Sequence, residues 1–490
     1  MALLPFGEYR PDVADYGSPN TQTLLNVIPR GDGYGPFPSS TVYTAALPAA
    51  CRGAFYALKS DGSVIVFAGT SDRLYQLSNT DYTWTDRSKG GSAYPTLTAT
   101  AQWRFAQTGN LVFATQANAP LQVFDLSSST AFADAAGSPP QAAYIDVVGR
   151  FLVLSGLLSN PYRIQWSGLN SFNSAQSWTA GVNSSDYQDF PDGGIVRGVA
   201  GGEFGYVFQD QAIRRMTYVS GSPLVFQIDR LTQDMGLFAP YSIVRAGELV
   251  FFYSSKGFYR IAPGGLPEQI GREKIDRTFL NDLDRGSLYL FIGASDPKSS
   301  RVYWSYKSSA GTAGRYDKLL GYDHVLGRFF VVNMQGEYLL GVSQTGLTLE
   351  ALDSISSNID AMSLSLDAYA TAVQPENAQF NADHKLAFFR STPLEAILIT
   401  AEQGADAQRI YVNGFRPVAD SAVAYGSLVY RDTQQATTST TSEAQINART
   451  GRCDLRKDAR YVRIKVRIPA GQTWTFAAGV EPDVVTTGQL

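Results

Sequence analysis

The sequence predicts an all-β chain: a β-propeller of about six blades, or seven, joined to a β-sandwich-like platform domain built from the N-terminal arm and the C-terminal region. Three observations predict it. A loose repeat of roughly 35–45 residues runs from about residue 50 to 340, each unit an apolar strand, a Gly turn and a second aromatic strand. The 490 residues carry 45 Gly, 27 Tyr and 27 Phe, which suits many short strands and tight turns. Helical periodicity is confined to short pieces such as Glu273–Asp284.

The units follow one another in order. "AFYALKSDGSVIVFAGTSDRLYQL" turns at Asp61-Gly62, "WRFAQTGNLVFATQANAPLQVFDL" at Gly109-Asn110, and "AAYIDVVGRFLVLSGLLSNPYRIQWSGL" at Gly149-Arg150. "VRGVAGGEFGYVFQDQAIRRMTYV" turns at Gly201-Gly202 and "YSIVRAGELVFFYSSKGFYRIA" at Gly247. A sixth unit spans Leu288 to Asn333 with a Ser/Gly insertion near Lys307–Gly314, and Tyr338–Leu349 begins a seventh or completes an incomplete one. A lone four-stranded unit cannot bury both faces, so such units are stable only when stacked.

Composition shifts divide the chain at 1–49, 50–353 and 354–490. The first part is a Pro/Gly-rich arm with one short strand at Thr23–Ile28, too poor in apolar residues for a core of its own. After a small, polar stretch beyond Asp353, alternating strands are expected at Lys385–Phe389, Glu395–Thr400, Arg409–Val412, Ala424–Tyr430, Tyr461–Ile468 and Thr473–Ala478. The Thr/Ser tract Thr433–Ser442 reads as an exposed loop.

The sharpest alternation is "RYVRIKVRIPAGQTWTF": Val462, Ile464, Val466 and Ile468 share one face, and Arg463, Lys465 and Arg467 the other. With Arg449, Arg452, Arg456, Lys457 and Arg460 they form a stripe of eight cations opposed only by Asp454 and Asp458. The stripe is either a surface for an acidic partner subunit, ahead of nucleic acid, or a solvated edge-strand face that discourages aggregation.

Net charge is −4, too small for bulk electrostatics to imply a nucleic-acid or membrane-surface protein. Cys51 and Cys453 exclude a disulfide framework and leave room for at most one long-range bridge; the plainer reading is two unpaired thiols of a protein matured in the cytosol. "MALLPFGEYRPDV" has no basic n-region and no apolar run of signal-peptide length, so Sec-type export and membrane insertion are not expected. His324 and His384 are the only histidines, which leaves little material for a Ser-His-Asp triad or a zinc site. "NTDYTWTD" lacks the glycine of a sialidase Asp-box, "DFPDGGI" at Asp189–Ile195 reads as a blade-connecting turn, and no Walker A, EF-hand or dinucleotide motif occurs. The chain is therefore expected to be no enzyme, with neither cofactor nor metal.

"NPYRIQWSGLNSFNSAQSW", "MGLFAPYSIVRAGELVFFYSSKGFYRI" and "LGYDHVLGRFFVVN" resemble the propeller of short-tailed bacteriophage tail proteins, called tail hub, tail nozzle or packaged-DNA stabilisation proteins. Ser167, Leu169 and Trp178 match an S-x-L…W segment; Gly236, Ala239, Pro240, Ser242 and Ile243 match G-x-x-A-P-x-S-I; Tyr322, Asp323, Gly327, Arg328 and Phe329 match Y-D-x-x-x-G-R-F. The likeness covers roughly residues 140–335 and carries no catalytic residue across. It implies a virion protein assembled in the host cytoplasm: a homo-hexameric ring on a tail adaptor below the portal, with propellers around a channel that retains and then conducts double-stranded DNA, next to fibres or a needle. Two rivals remain, a carbohydrate-binding or carbohydrate-cleaving propeller and a monomeric protein-binding scaffold.

Overall fold

The computed structural model describes residues 3–59, 63–222, 224–343, 375–404 and 408–489. The Asp61-Gly62 turn, residues 344–349 and the polar stretch after Asp353 lie outside them.

Seven four-stranded antiparallel sheets form among the described residues, so the ring has seven blades, the upper of the two expected counts. Blades 1 to 6 span residues 54–86, 104–134, 142–189, 196–230, 244–269 and 292–336. Blade 7 takes Tyr338–Ser343, Pro375–Phe380 and Lys385–Pro393, and its outermost strand is Pro38–Ala46 from the N-terminal arm. The first strand of each blade lies innermost, and that of blade 7 packs beside that of blade 1, which closes the circle. The expected boundaries at 49 and 353 therefore move: residues 38–46 and 375–393 belong to the propeller, because their backbone groups complete its last sheet.

Apolar cores fill the junctions between blades, supplied by period-2 alternation in the second strands. In Leu111–Thr115, Val112 and Ala114 pack toward blade 1 with Phe67 and Trp103, while Phe113 packs toward blade 3 with Leu152 and Leu154. In Leu249–Ser254, Val250 and Phe252 face blade 4, and Phe251 and Tyr253 face blade 6. Both faces are buried, so these strands read as unbroken apolar runs. The expected glycine turns occur where φ must be positive: Gly109, Gly149 and Gly247 stand at +55°, +55° and +61°. Gly201 serves a different need, since a Cβ there would sit 2.0 Å from the Val147 carbonyl oxygen of blade 3.

The platform is a two-sheet sandwich. One sheet runs in the order Val27–Arg30, Gly33–Pro36, Ala477–Gln489, Gln408–Ala419, Lys457–Ala459, with Leu4–Pro5 also on Ala477–Gln489. The other runs Leu24–Leu25, Ala396–Ile399, Tyr461–Ile468, Tyr425–Arg431, Ser439–Thr440. Leu398, Phe415, Leu428, Val462, Ile464, Val466 and Val480 fill the space between them, continuous with the core of blades 5 and 6. The strand expected at Thr473–Ala478 starts only at Ala477, because Thr475 and Phe476 donate their backbone N–H groups to Asp420 instead of to a neighbouring strand.

Asn26 joins the two bodies. Its backbone N–H donates to Val331 O (2.9 Å), its Oδ1 accepts from Asn333 N (2.8 Å), and its Nδ2 donates to Glu395 O (2.7 Å). Its φ of 58° is one asparagine tolerates better than most residues. The expected helical stretch yields the helix Asp276–Asp282, whose first turn has no side-chain cap of its own. Asp12 supplies the cap from the N-terminal arm: its carboxylate accepts from Arg277 N (2.9 Å) and from Thr278 N (2.8 Å) and Oγ1 (2.7 Å).

Asp12→Ala is expected to destabilise the chain by about 1–2 kcal/mol, read by urea denaturation, with Asp12→Asn milder because it keeps one acceptor. Burial lifts the Asp276 carboxyl to about 6, despite hydrogen bonds from Phe258 N and Gln269. The folded group then holds its proton more tightly than an unfolded aspartate at about 3.9. Its contribution to stability therefore falls as the pH rises through that interval. A flatter profile of Tm against pH between about 4 and 6 is the expected result for Asp276→Asn, and an unchanged slope would contradict this.

Candidate functional site

Strand Tyr461–Ile468 has the predicted two faces: Val462, Ile464, Val466 and Ile468 are buried, and Arg463, Lys465 and Arg467 half-buried. It is a central strand, hydrogen-bonded to Ala396–Ile399 and Tyr425–Arg431, so the edge-strand reading is corrected. Its cations meet carboxylates from distant segments. Arg463 grips Asp15 with two hydrogen bonds (2.6 and 2.9 Å) and lies 3.5 Å from Glu402. Glu402 itself takes a double hydrogen bond from Arg431. Arg467 holds Glu443 (2.7 Å) and Glu395 (3.0 Å), and Lys465 is 4.0 Å from Glu443. The hydrogen bond from Arg467 draws the Glu443 pKa down.

Upstream, Arg452 pairs with Asp454 (3.0 Å) and Asp483 (2.9 Å). Lys457 lies 4.0 Å from the Tyr430 ring centroid and Arg460 5.6 Å from that of Tyr461. Arg449 and Arg456 are exposed and make no ion pair among the described residues. The eight cations thus divide into four in ion pairs, two on tyrosine rings and two facing solvent. Between the platform sheets an apolar groove of about 740 Å³, lined by Leu3, Ile410, Val462 and Val484 among others, opens to solvent. Leu3, Val484 and Val485 at or beside it are 47%, 47% and 55% exposed.

The propeller axis is a second constellation that the sequence did not single out. At the end where the first strands begin, a cavity of about 480 Å³ is lined by Tyr144, Arg197, Tyr241, Arg285 and Tyr289. Arg52 donates to the carbonyls of Thr98, Ala99 and Ala101, and its guanidinium lies 4.8 Å from the Tyr289 ring centroid. Arg104 lies 5.8 Å from the Tyr241 ring centroid and beside Tyr338. Tyr144 and Tyr241 pack at a tilt of 57°. Burial pushes the Tyr241 phenol up to about 12. Asp146 sits deep in the ring with part of its surface open; burial raises its pKa, while Val147 N (2.8 Å) and Gly201 N (2.7 Å) donate to it. Asp210 accepts from Arg197 (2.6 Å) and Ile195 N (3.1 Å).

The remaining reactive side chains are committed elsewhere. Cys51 and Cys453 are buried free thiols, and burial raises both pKa values, that of Cys453 to about 11. His384 Nδ1 lies 2.6 Å from Glu337 Oε1, and Cys51 N donates to Glu337 Oε2 (3.0 Å). His324 packs against Phe251, and burial lowers its pKa. Residues 190–195 connect blades 3 and 4, and Asp192 among them pairs with Arg214 and Arg230. No group of three or more His, Cys, Asp and Glu side chains that could hold a metal occurs among the described residues, and no helix there could cross a membrane.

No protein-family model matches the chain, and no curated protein matches it. Among solved structures it is similar to the extracellular domain of a hybrid two component system from B. thetaiotaomicron, at 10% identity and a TM-score of 0.41, over 83% of this chain and 47% of that one. It thus spans about half the length of that structure. The WD40 repeats of RRP9 give 9% identity and a TM-score of 0.39, over 62% of this chain and 89% of that one. YCF48 bound to D1 peptide gives 10% and 0.38, over 71% and 95%. All three scores lie below 0.5, and the propeller rests on the sheet topology itself.

Arg463→Ala would leave Asp15 and Glu402, whose side chains are 4% and 2% exposed, without their shared cation. A loss of about 3–5 kcal/mol by chemical denaturation is expected, whereas Lys465→Ala should cost below about 1 kcal/mol.

Proposed function

We propose that this chain is a structural, non-enzymatic subunit of a short-tailed bacteriophage tail, the nozzle or hub, which forms a homo-hexameric ring on the tail adaptor and conducts the genome during ejection. The observation that carries the reading is the platform: both chain ends build a second body on blade 6, and it presents an open apolar groove with exposed Leu3, Val484 and Val485. An apolar opening of this kind suits a subunit contact more than a monomer's surface. In this reading a second copy covers the groove, and Arg449 and Arg456 meet acidic groups of the neighbouring subunit or the adaptor.

The electrostatics fit a conduit. A wall that bound phosphates tightly would release counterions and slow transit, but most cations of the stripe already face carboxylates or tyrosine rings within the chain. The propeller's own axis is crowded by Arg104, Tyr241 and Tyr338, so the duplex would pass through the space enclosed by the six subunits. Glycoside cleavage is disfavoured at the axial cavity. A hydrolase needs two available carboxyls, whereas Asp210, the one carboxylate in that cavity's lining, is held by Arg197 and an amide.

Light scattering and negative-stain imaging, with and without an adaptor–portal complex, test the proposal: rings of six are expected, and a monomer indifferent to the adaptor would overturn it. Val485→Asp, or Arg449→Glu with Arg456→Glu, should reduce ring formation while leaving Tm unchanged, since none of the three side chains is buried.

A further inference from the structure

We infer that the mouth of the propeller axis is a binding site for a carboxylate-rich peptide segment, independent of whether the chain forms a ring. Charge is the first observation. The chain as a whole is negative, at −4, yet the axis gathers Arg52, Arg104, Arg197, Arg245 and Arg285 against Asp146 and Asp210. Arg197 is neutralised by Asp210, and Arg52 spends its N–H groups on three carbonyls. Arg104 and Arg285 make no ion pair among the described residues. Both reach Tyr241, Arg104 over its ring and Arg285 across the cavity that Tyr241 lines. Guanidinium groups inside a concave, low-dielectric mouth focus a positive potential on whatever enters and bind carboxylates in two-pronged fashion.

The aromatic rings decide the class of ligand. Bases and sugars need open ring faces to stack on, and here Arg52 covers a face of Tyr289, Arg104 covers one of Tyr241, and Tyr144 packs at a tilt against Tyr241. Tyr241 is 6% exposed. What remains open in the lining is the exposed Arg285, the Ser255 side of the wall and the apolar flank at Leu288, with Arg104 behind them over Tyr241 and beside Tyr338. An extended acidic peptide satisfies all of these, with its backbone beside the innermost strands and its carboxylates on Arg104 and Arg285.

Calorimetric titration of the full chain with a hexaglutamate peptide tests the inference. Salt-sensitive binding is expected, at least ~10-fold weaker in Arg285→Gln and in Arg104→Gln and unchanged in Arg150→Gln, which lies in a turn outside the cavity. Arg285 is exposed, so its substitution leaves folding intact and keeps the test decisive if Arg104→Gln misfolds. No binding by the unaltered chain, or binding indifferent to Arg285→Gln, would overturn the site. An oligogalacturonate or oligo(dT) that binds with the same dependence while the peptide does not would overturn the peptide assignment.

Discussion

The architecture depends on one strand pairing, that of Pro38–Ala46 with Lys385–Pro393. Without it blade 7 would have three strands and an open edge, and the ring would end rather than close. The pairing is irregular, with register shifts on both sides of Ala387–Phe389, and side chains reinforce it. Leu386 N donates to Thr44 Oγ1 (3.1 Å), Gln379 Nε2 reaches Ser40 Oγ (3.3 Å), and Gln379 Oε1 accepts from Tyr316 of blade 6 (2.5 Å). Glu337 lies beside this seam. Its carboxylate binds the Cys51 amide that leads into blade 1 and the His384 ring in the blade 7 hairpin, so one buried acid holds blades 6, 7 and 1 in register.

Because the N-terminal strand must reach blade 7, the rest of the arm is fixed in place, and the platform follows. Residues 3–37 lay strands into both platform sheets, cap the helix Asp276–Asp282 with Asp12 and clasp Arg463 with Asp15. Each contact on its own is modest. The buried charge of Asp15 nevertheless admits one arrangement of the arm, since a displaced arm would part it from Arg463. The ion pairs thereby specify position more than they add stability.

This organisation explains what the sequence disclosed. Strand type and blade order were legible because period-2 burial and positive-φ turn glycines are local properties, as Leu111–Thr115 and Gly149 illustrate. The face of Tyr461–Ile468 was legible for the same reason. Its surroundings were not: the carboxylate facing Arg463 lies 448 residues away, and no local spacing encodes it. The outer strand of the seventh blade was obscured likewise, because it precedes the inner three by almost 300 residues. The axial cavity went unseen because its arginines and tyrosines come from different blades, each unremarkable in its own repeat.

Closure through the two chain ends also orders the folding of the ring. Blades 1 to 6 are built from contiguous segments, so each can dock on its predecessor as soon as its own residues are available. Blade 7 and both platform sheets combine residues before 47 with residues after 337, contacts of very high sequence separation that form slowly. The entropic cost of joining distant ends grows only with the logarithm of loop length, and stacking of the intervening blades already curves the chain back on itself. Blade stacking therefore comes before closure, and the platform's apolar groove and charged faces take shape only once the circle is complete. A surface that exists only in the closed chain is presented by finished chains and withheld by partly folded ones.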